Sequence, residues 1–322
     1  MRNLISLTAL SAALLSTPAF ADEAQSLLIK DFIGIVNITT GDSFNVSDDK
    51  DGIHEIRDTG LIIDGNQTVD HSRCKSSGST IRISIGKKNL FTQFGGYKNL
   101  EDYPNLDITV PEGTHLEITD SVIFGTGEDF GSIDVHIKSC GSLEIGDVNG
   151  TAELKISGSG DFAAGNMKST NLRISGSGDA AIGDMTNAII KVSGSGDLEG
   201  GNIIGSAKIK TTGSGDIELG ALTGDIVYEG RGSSDLFLDQ VNGRASINLT
   251  GSGDVEIDKG TIPELLLTSR GSSEFDFGGT AGDVTVVTSG SSEVDIDDAT
   301  GEREVKTSGS AEVKIGDTRY DD

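Results

Sequence analysis

One spacing constrains this chain more than any other property. The phrase Ser-Gly-Ser-Gly-Asp stands at residues 157–161, 175–179 and 193–197, and returns as Thr-Gly-Ser-Gly-Asp at 212–216 and 250–254. Looser copies occupy 231–235, 270–274, 289–293 and 308–312. The first glycines are Gly158, Gly176, Gly194, Gly213, Gly232, Gly251, Gly271, Gly290 and Gly309, so the steps run from 18 to 20 residues. A fixed period of that length means a stack of like units, each too small to bury its apolar face alone.

The residues between the phrases alternate as strands do. In one unit Ile209 and Thr211 face inward before the turn, and Ile217 and Leu219 face inward after it. Asp216 and Glu218 face out, and Leu222 fills a third inward slot. The same slots hold Phe162/Ala164, Ala180/Ile182, Val255/Ile257 and Val294/Ile296 in other units. Short strands joined by sharp turns predict an all-β fold, a parallel β-helix or β-solenoid of ~19-residue coils. Right-handed coiling is expected, as for most parallel connections. Eleven coils over residues 116–316 would make a rod of roughly 50 Å at about 4.8 Å per coil.

Four segments follow. Residues 1–21 read as a signal peptide, with Arg2, an apolar core and the Ala19-Phe20-Ala21 cleavage pattern. Residues 22–110 are a β-rich N-terminal region that caps the stack and merges into it. Strands are expected at 27–38, 44–46, 60–63 and 80–85, turns at 48–52 and 64–66, and a loop at 69–79. The aromatic stretch at 90–97 is expected to plug the open end of the stack. The regular solenoid spans 111–316, and 317–322 is a polar tail. No later segment is long and apolar enough for a transmembrane helix, so no membrane insertion is expected. No translocator barrel follows the last coil in this sequence, so either a periplasmic location or a surface location held by a partner is expected.

Charge narrows the partners. With 51 acidic and 25 basic residues the net charge is −26, which disfavours nucleic acid and anionic headgroups. Cys74 and Cys140 are the only cysteines. In an exported chain they either form a disulfide or remain two thiols; no CxxC or Cys/His cluster suggests zinc or redox chemistry.

The repeated turn has its own chemistry. Its glycines allow positive φ at a sharp corner, and its acidic residue accepts hydrogen bonds from nearby N–H groups. Stacking places Asp161, Asp179, Asp197, Asp216, Asp235, Asp254, Glu274, Glu293 and Glu312 in one ladder. Carboxylates one coil apart repel by about 0.9 kcal/mol in water before screening. Either turn hydrogen bonds or bound cations, Ca²⁺ first among them, must offset this. No catalytic constellation is evident. His54, His71, His115 and His136 precede the regular repeats, no HExxH or G-x-S-x-G occurs, and the repeat serines have no histidine in their coils.

Lys30–Val36 (KDFIGIV), the stretch LDITVP at 106–111, Leu116-Glu117-Ile118 and the Ser-Gly-Ser-Gly-Asp coils together resemble a bacterial exported family. It is known as the putative auto-transporter adhesin, head GIN domain, family, and the resemblance covers about 27–316. It implies a β-solenoid at the cell surface or in the periplasm and carries no catalytic residues. The expectation is a non-enzymatic, adhesin-like binding or structural protein of the envelope, with a surface protein or glycan as partner and no required cofactor. Two alternatives stand beside it: a Ca²⁺-loaded structural rod, and a carbohydrate-active β-helix enzyme.

Overall fold

The computed structural model describes residues 25–47, 52–67, 69, 72–77, 80–87, 93–94 and 96–320. The signal segment, residues 48–51 of the expected turn, His71 and half of the aromatic stretch at 90–97 lie outside the described residues.

The chain winds into a parallel β-solenoid of about eleven turns. Each regular coil carries a strand before the glycine corner and a strand after it. The strands before the corner form what we call the leading sheet. Val148–Gly158, Met167–Gly176, Met185–Gly194, Ala207–Gly213, Ile226–Gly232 and Ala245–Gly251 pair in parallel, each with the next. The strands after the corner form the trailing sheet, among them Leu198–Gly200, Ile217–Leu222, Leu236–Val241 and Val255–Ile257. A narrow third side closes the coil through single bridges such as Met185 to Ile203 and Ile203 to Leu222. Like residues therefore stack on like: Leu172, Ile190, Ile209, Tyr228 and Ile247 form one buried column. All the inward slots quoted from the sequence are buried except Ala164, which is half-buried.

The two glycines of the phrase do different work. The first turns the corner. Gly194 has φ 131°, and a Cβ there would lie 2.2 Å from the carbonyl oxygen of Gly176 one coil below. The second glycine keeps ordinary φ but permits close stacking: a Cβ on Gly178 would lie 2.0 Å from the oxygen of Gly160. In the looser copies this second position is Ser234, Ser273, Ser292 or Ala311, and each of these side chains is buried. From Ser177 onward, each N–H after the first glycine donates to the glycine carbonyl of the coil before, as Ser195 does to Gly176 at 2.8 Å.

One coil breaks the apolar pattern and compensates for it. Tyr228 is fully buried where its neighbours are isoleucines, and Gly230 in the next inward slot leaves room for its ring. Its hydroxyl meets Thr211 Oγ1 at 3.0 Å, so the buried polar ends satisfy each other. Burial pushes the phenol up to about 12.

The N-terminal region departs from expectation in two places. The single strand expected at 27–38 is two strands, Ser26–Lys30 and Ile33–Gly41, broken at Asp31 with φ 50°. Asp31 makes a corner without glycine, as do Asp120 and Ser139. Ser139 stands opposite Gly158. A sequence scan for glycine corners passes over these. The second departure lies in the loop expected at 69–79. Ser72–Ser77 is a strand, paired antiparallel with Thr80–Lys87. Its sequence, SRCKSS, lacks alternation because it is an arm beside the rod and not a wall of it. Cys74 ties that arm to Cys140 through a disulfide, with Cα atoms 6.1 Å apart.

The first strands enter the stack out of chain order. Ser26–Lys30 lies between Gly60–Asp64 and His115–Gly127, and Ile33–Gly41 lies between Asn105–Pro111 and the same long strand. Antiparallel partners, His54–Arg57 on Gly60–Asp64 and Asn45–Ser47 on Asn105–Pro111, then end the parallel ladders. At the other end Thr318–Tyr320 folds back antiparallel on Glu312–Ile315. Reversed strands thus close the trailing ladder at the C-terminal end, whereas Arg303–Lys306, the last strand of the leading sheet, pairs in parallel on one side only among the described residues.

Candidate functional site

The acidic residues of the repeated corner do stand in one column along the edge of the trailing sheet. From Asp161 to Asp254 each carboxylate serves the coil above it. Asp161 Oδ1 accepts from the N–H of Asp179 at 3.2 Å, Asp179 from Asp197 at 2.9 Å, and Asp197 from Asp216 at 2.9 Å. Asp216, Asp235 and Asp254 continue the series to Glu274. The ladder changes character at its glutamates. The N–H groups of Glu293 and Glu312 donate to the carbonyls of Ser273 and Ser292 instead. The longer Glu arm carries its carboxylate past the backbone position that Asp reaches.

A second ladder, not singled out in the sequence, runs along another corner of the coil. Asp129 Oδ1 accepts from Asp147 N–H, Asp147 from Asn166, Asn166 from Asp184, Asp184 from Asn202, and Asn202 from Ala221, at 2.7–2.9 Å. The bonding is the same as in the first ladder. The charge is not, because Asn alternates with Asp. A side-chain carbonyl is enough to cap the backbone here; a full negative charge is not required.

Next to the first ladder lies a column of acids that cap nothing. Glu199, Glu218, Glu256, Asp276 and Asp295 share register on the trailing sheet, interrupted only by Phe237. Together the two columns line a shallow groove of about 730 Å³ from Asp197 to Asp276. The signal was present in the sequence, since Glu218 follows Asp216 by two residues and so faces the same way. Burial, and then the carboxylates of Glu293, Asp254, Asp276 and Glu256, hold Glu274 above the ordinary glutamate range. Burial and Asp295 do the same to Asp276. Lys314 answers the column at its end, 2.7 Å from Asp295. Among the described residues no group of three or more His, Cys, Asp or Glu is placed to hold a metal ion.

The leading sheet carries the opposite charge. His136, Lys155, Arg173, Lys191 and Lys210 are consecutive rungs of one outward column. The four cations from Lys155 onward each sit three residues before a corner glycine, a periodicity legible in the sequence but hidden by the net charge. Lys210 pairs with Glu229 at 2.8 Å and Lys155 with Glu153 at 3.5 Å.

His136 also corrects one expectation. Although it lies before the regular repeats, stacking brings its Nε2 within 2.8 Å of Ser157 Oγ in the first of them. Burial, then Lys138 and Lys155, lower its pKa and favour the neutral ring. The repeat serines are thus not all remote from histidine. No hydrogen bond to the other ring nitrogen orients this imidazole among the described residues, so the pair lacks the third member that a nucleophile–base arrangement uses.

The solenoid thus presents one long acidic face and one basic stripe, the kind of extended surface that stacked repeats create. The family model described as putative auto-transporter adhesin, head GIN domain, matches residues 98–238 and again 227–320, and the chain belongs to that family. No curated protein and no solved structure matches the chain. Family membership and the Cys74–Cys140 disulfide together point to an exported protein.

Proposed function

We propose that this chain is a non-enzymatic, adhesin-like binding module of the bacterial envelope, directed there by its N-terminal signal, and that it takes its partner on the acidic trailing sheet. One observation carries this reading. The fold needs side-chain acceptors at its corners, but the alternating Asp/Asn ladder shows that it does not need their charge. The column of Glu199, Glu218, Glu256 and Asp276 adds charge while capping no backbone group. Acidity beyond the requirement of the fold, arranged along a flat sheet, suits a partner with spaced positive charges, such as a Lys/Arg-rich surface protein or an amino-sugar glycan. The test compares the full chain with a Glu199→Gln/Glu218→Gln/Glu256→Gln/Asp276→Asn variant on a glycan array and against surface-protein fractions. Loss of binding with the melting temperature kept supports the proposal. Equal binding by both proteins, or binding by neither, overturns it.

A second reading rests on the crowding around Glu274 and Asp276, whose carboxyls are held above the ordinary range by burial first and by neighbouring carboxylates second. Divalent cations, Ca²⁺ foremost, would relieve it and make the rod a cation-stabilised structure. Calorimetry with Ca²⁺ and a melting curve with chelator decide the matter. No heat of binding and an unchanged melting temperature would sink it.

A further inference from the structure

We propose that copies of this protein associate side by side, the basic leading sheet of one rod lying against the acidic trailing sheet of the next. The complement of each surface is present on the same molecule. Arg173 and Lys191, in the middle of the cationic column, make no ion pair among the described residues, and Lys208 adds charge in the neighbouring column. That neighbouring column also exposes Ile189, Val227 and Leu266, at 46%, 40% and 46%, with Lys208 and Ser246 between them. Three exposed apolar side chains in one outward column gain by being covered. The facing surface offers Phe237 among carboxylates.

Register selects a second copy over other anionic partners. Both sheets belong to one solenoid, so their columns repeat at the same coil spacing of about 4.8 Å. Two rods laid alongside keep cation opposite carboxylate at every rung, which an extended peptide at about 3.3 Å per residue does not. The cationic column occupies the N-terminal half of the rod, from Lys155 to Lys210, and the doubled acidic columns run from Asp197 to Asp295. Flush antiparallel neighbours overlap these two stretches. The contact joins unlike surfaces, so it leaves one free face on each side and extends into larger assemblies.

Salt gives the association a signature. With a net charge of −26, whole rods repel at low ionic strength, where the screening length is about 30 Å. At 0.15 M it falls to about 8 Å and only the facing columns interact; at 1 M these too are screened. Association is therefore strongest at intermediate salt.

Sedimentation of the full chain across concentration at 0.01, 0.15 and 1 M NaCl tests this, with Arg173→Glu/Lys191→Glu/Lys208→Glu on the basic sheet and Glu199→Lys/Glu218→Lys/Glu256→Lys on the acidic sheet. The wild type is expected to self-associate at 0.15 M and to do so at least about tenfold more weakly at 1 M. Each variant alone is expected to stay monomeric. An equimolar mixture of the two should associate again, because the intact basic sheet of one meets the intact acidic sheet of the other and the two reversed faces are themselves complementary in charge. Should a reversal fail to fold, the neutral Gln versions serve, with a smaller loss expected in the same direction. A wild type that is monomeric at every salt, variants that associate as the wild type does, or a mixture that stays monomeric would each overturn the proposal. So would a monomeric wild type that binds heparin through the basic sheet, which would assign that face to an anionic glycan. The basic-sheet variant keeps its acidic groove, so its binding on the glycan array separates failure of this contact from failure of the proposed partner site.

Discussion

The two side-chain ladders of this solenoid perform one structural task with different chemistry. The Asp129–Asp147–Asn166–Asp184–Asn202 ladder and the Asp161–Asp254 ladder both cap the N–H of the coil above at about the same distance. From Asp147 onward the first separates like charges with asparagine. The second stacks them without relief and adds a further acidic column beside it. The difference separates what a coil needs to turn from what the surface displays.

The corners supporting the ladders should differ most when broken. Gly194→Ala places a Cβ at φ 131° and 2.2 Å from a backbone oxygen. It should cost more than about 3 kcal/mol, from strain and clash together. Gly201→Ala, beside the second ladder, meets Asp184 Oδ1 at 2.5 Å and the backbone of Gly183 and Asp184 at 2.8 Å but keeps ordinary φ. About 1–2 kcal/mol is expected there. Denaturant unfolding of the two variants reads the contrast, and equal costs would show that positive φ is not what the first corner demands.

Removing one cap from each ladder comes next. Asp184→Ala should cost about 1 kcal/mol, the value of one lost charge-assisted cap. Asp216→Ala should cost less, because it also relieves repulsion from Asp197 and Asp235 above and below. If Asp216→Ala proved the costlier of the two, its negative charge would be structural after all. The asparagine variants isolate charge. Asp216→Asn should stabilise by a few tenths of a kcal/mol at low salt, and Asp184→Asn, already flanked by Asn166 and Asn202, should change little. The gap should close in 1 M NaCl.

The smallest effect is a pH slope. Glu274 and Asp276 have raised pKa values, so the folded state binds protons more readily than the unfolded chain does. Their contribution to stability is greatest below the unfolded carboxylate pKa and falls as pH rises through the window up to the folded values. The Glu274→Gln/Asp276→Asn variant should lose part of the gain in melting temperature that the wild type shows on mild acidification. An identical pH profile in both proteins would remove the claim that this part of the column is electrostatically strained.

Much of this was readable in one dimension. Every first glycine of the phrase has the positive φ its position demands. The inward slots read from alternation are the core. The nine-member acidic column was legible because stacking follows from the period, though its division into capping aspartates and non-capping glutamates was not; that depends on how far each side chain reaches from a shared backbone position. The Asx ladder through Asn166 and Asn202 has its own repeat, Gly-Asx-apolar at 146–148, 165–167, 183–185 and 201–203, but three residues with a variable third member stand out less than the five-residue phrase. The strand Ser72–Ser77 was missed because its half-buried positions are Ser72 and Cys74, neither of them a large apolar residue that would mark an alternation.

The sequence by itself determined the coil, its period and the residues that face inward, because these are local rules applied again at each turn. Only the tertiary structure decided which columns became neighbours. Stacking at about 4.8 Å brings together residues some 19 positions apart and places His136 against Ser157. It sets carboxylates on one sheet and cations on another, and threads the first strands of the chain between later ones. A net charge is a sum and carries no direction. The fold gives it one, because two sheets of the same coil face different ways.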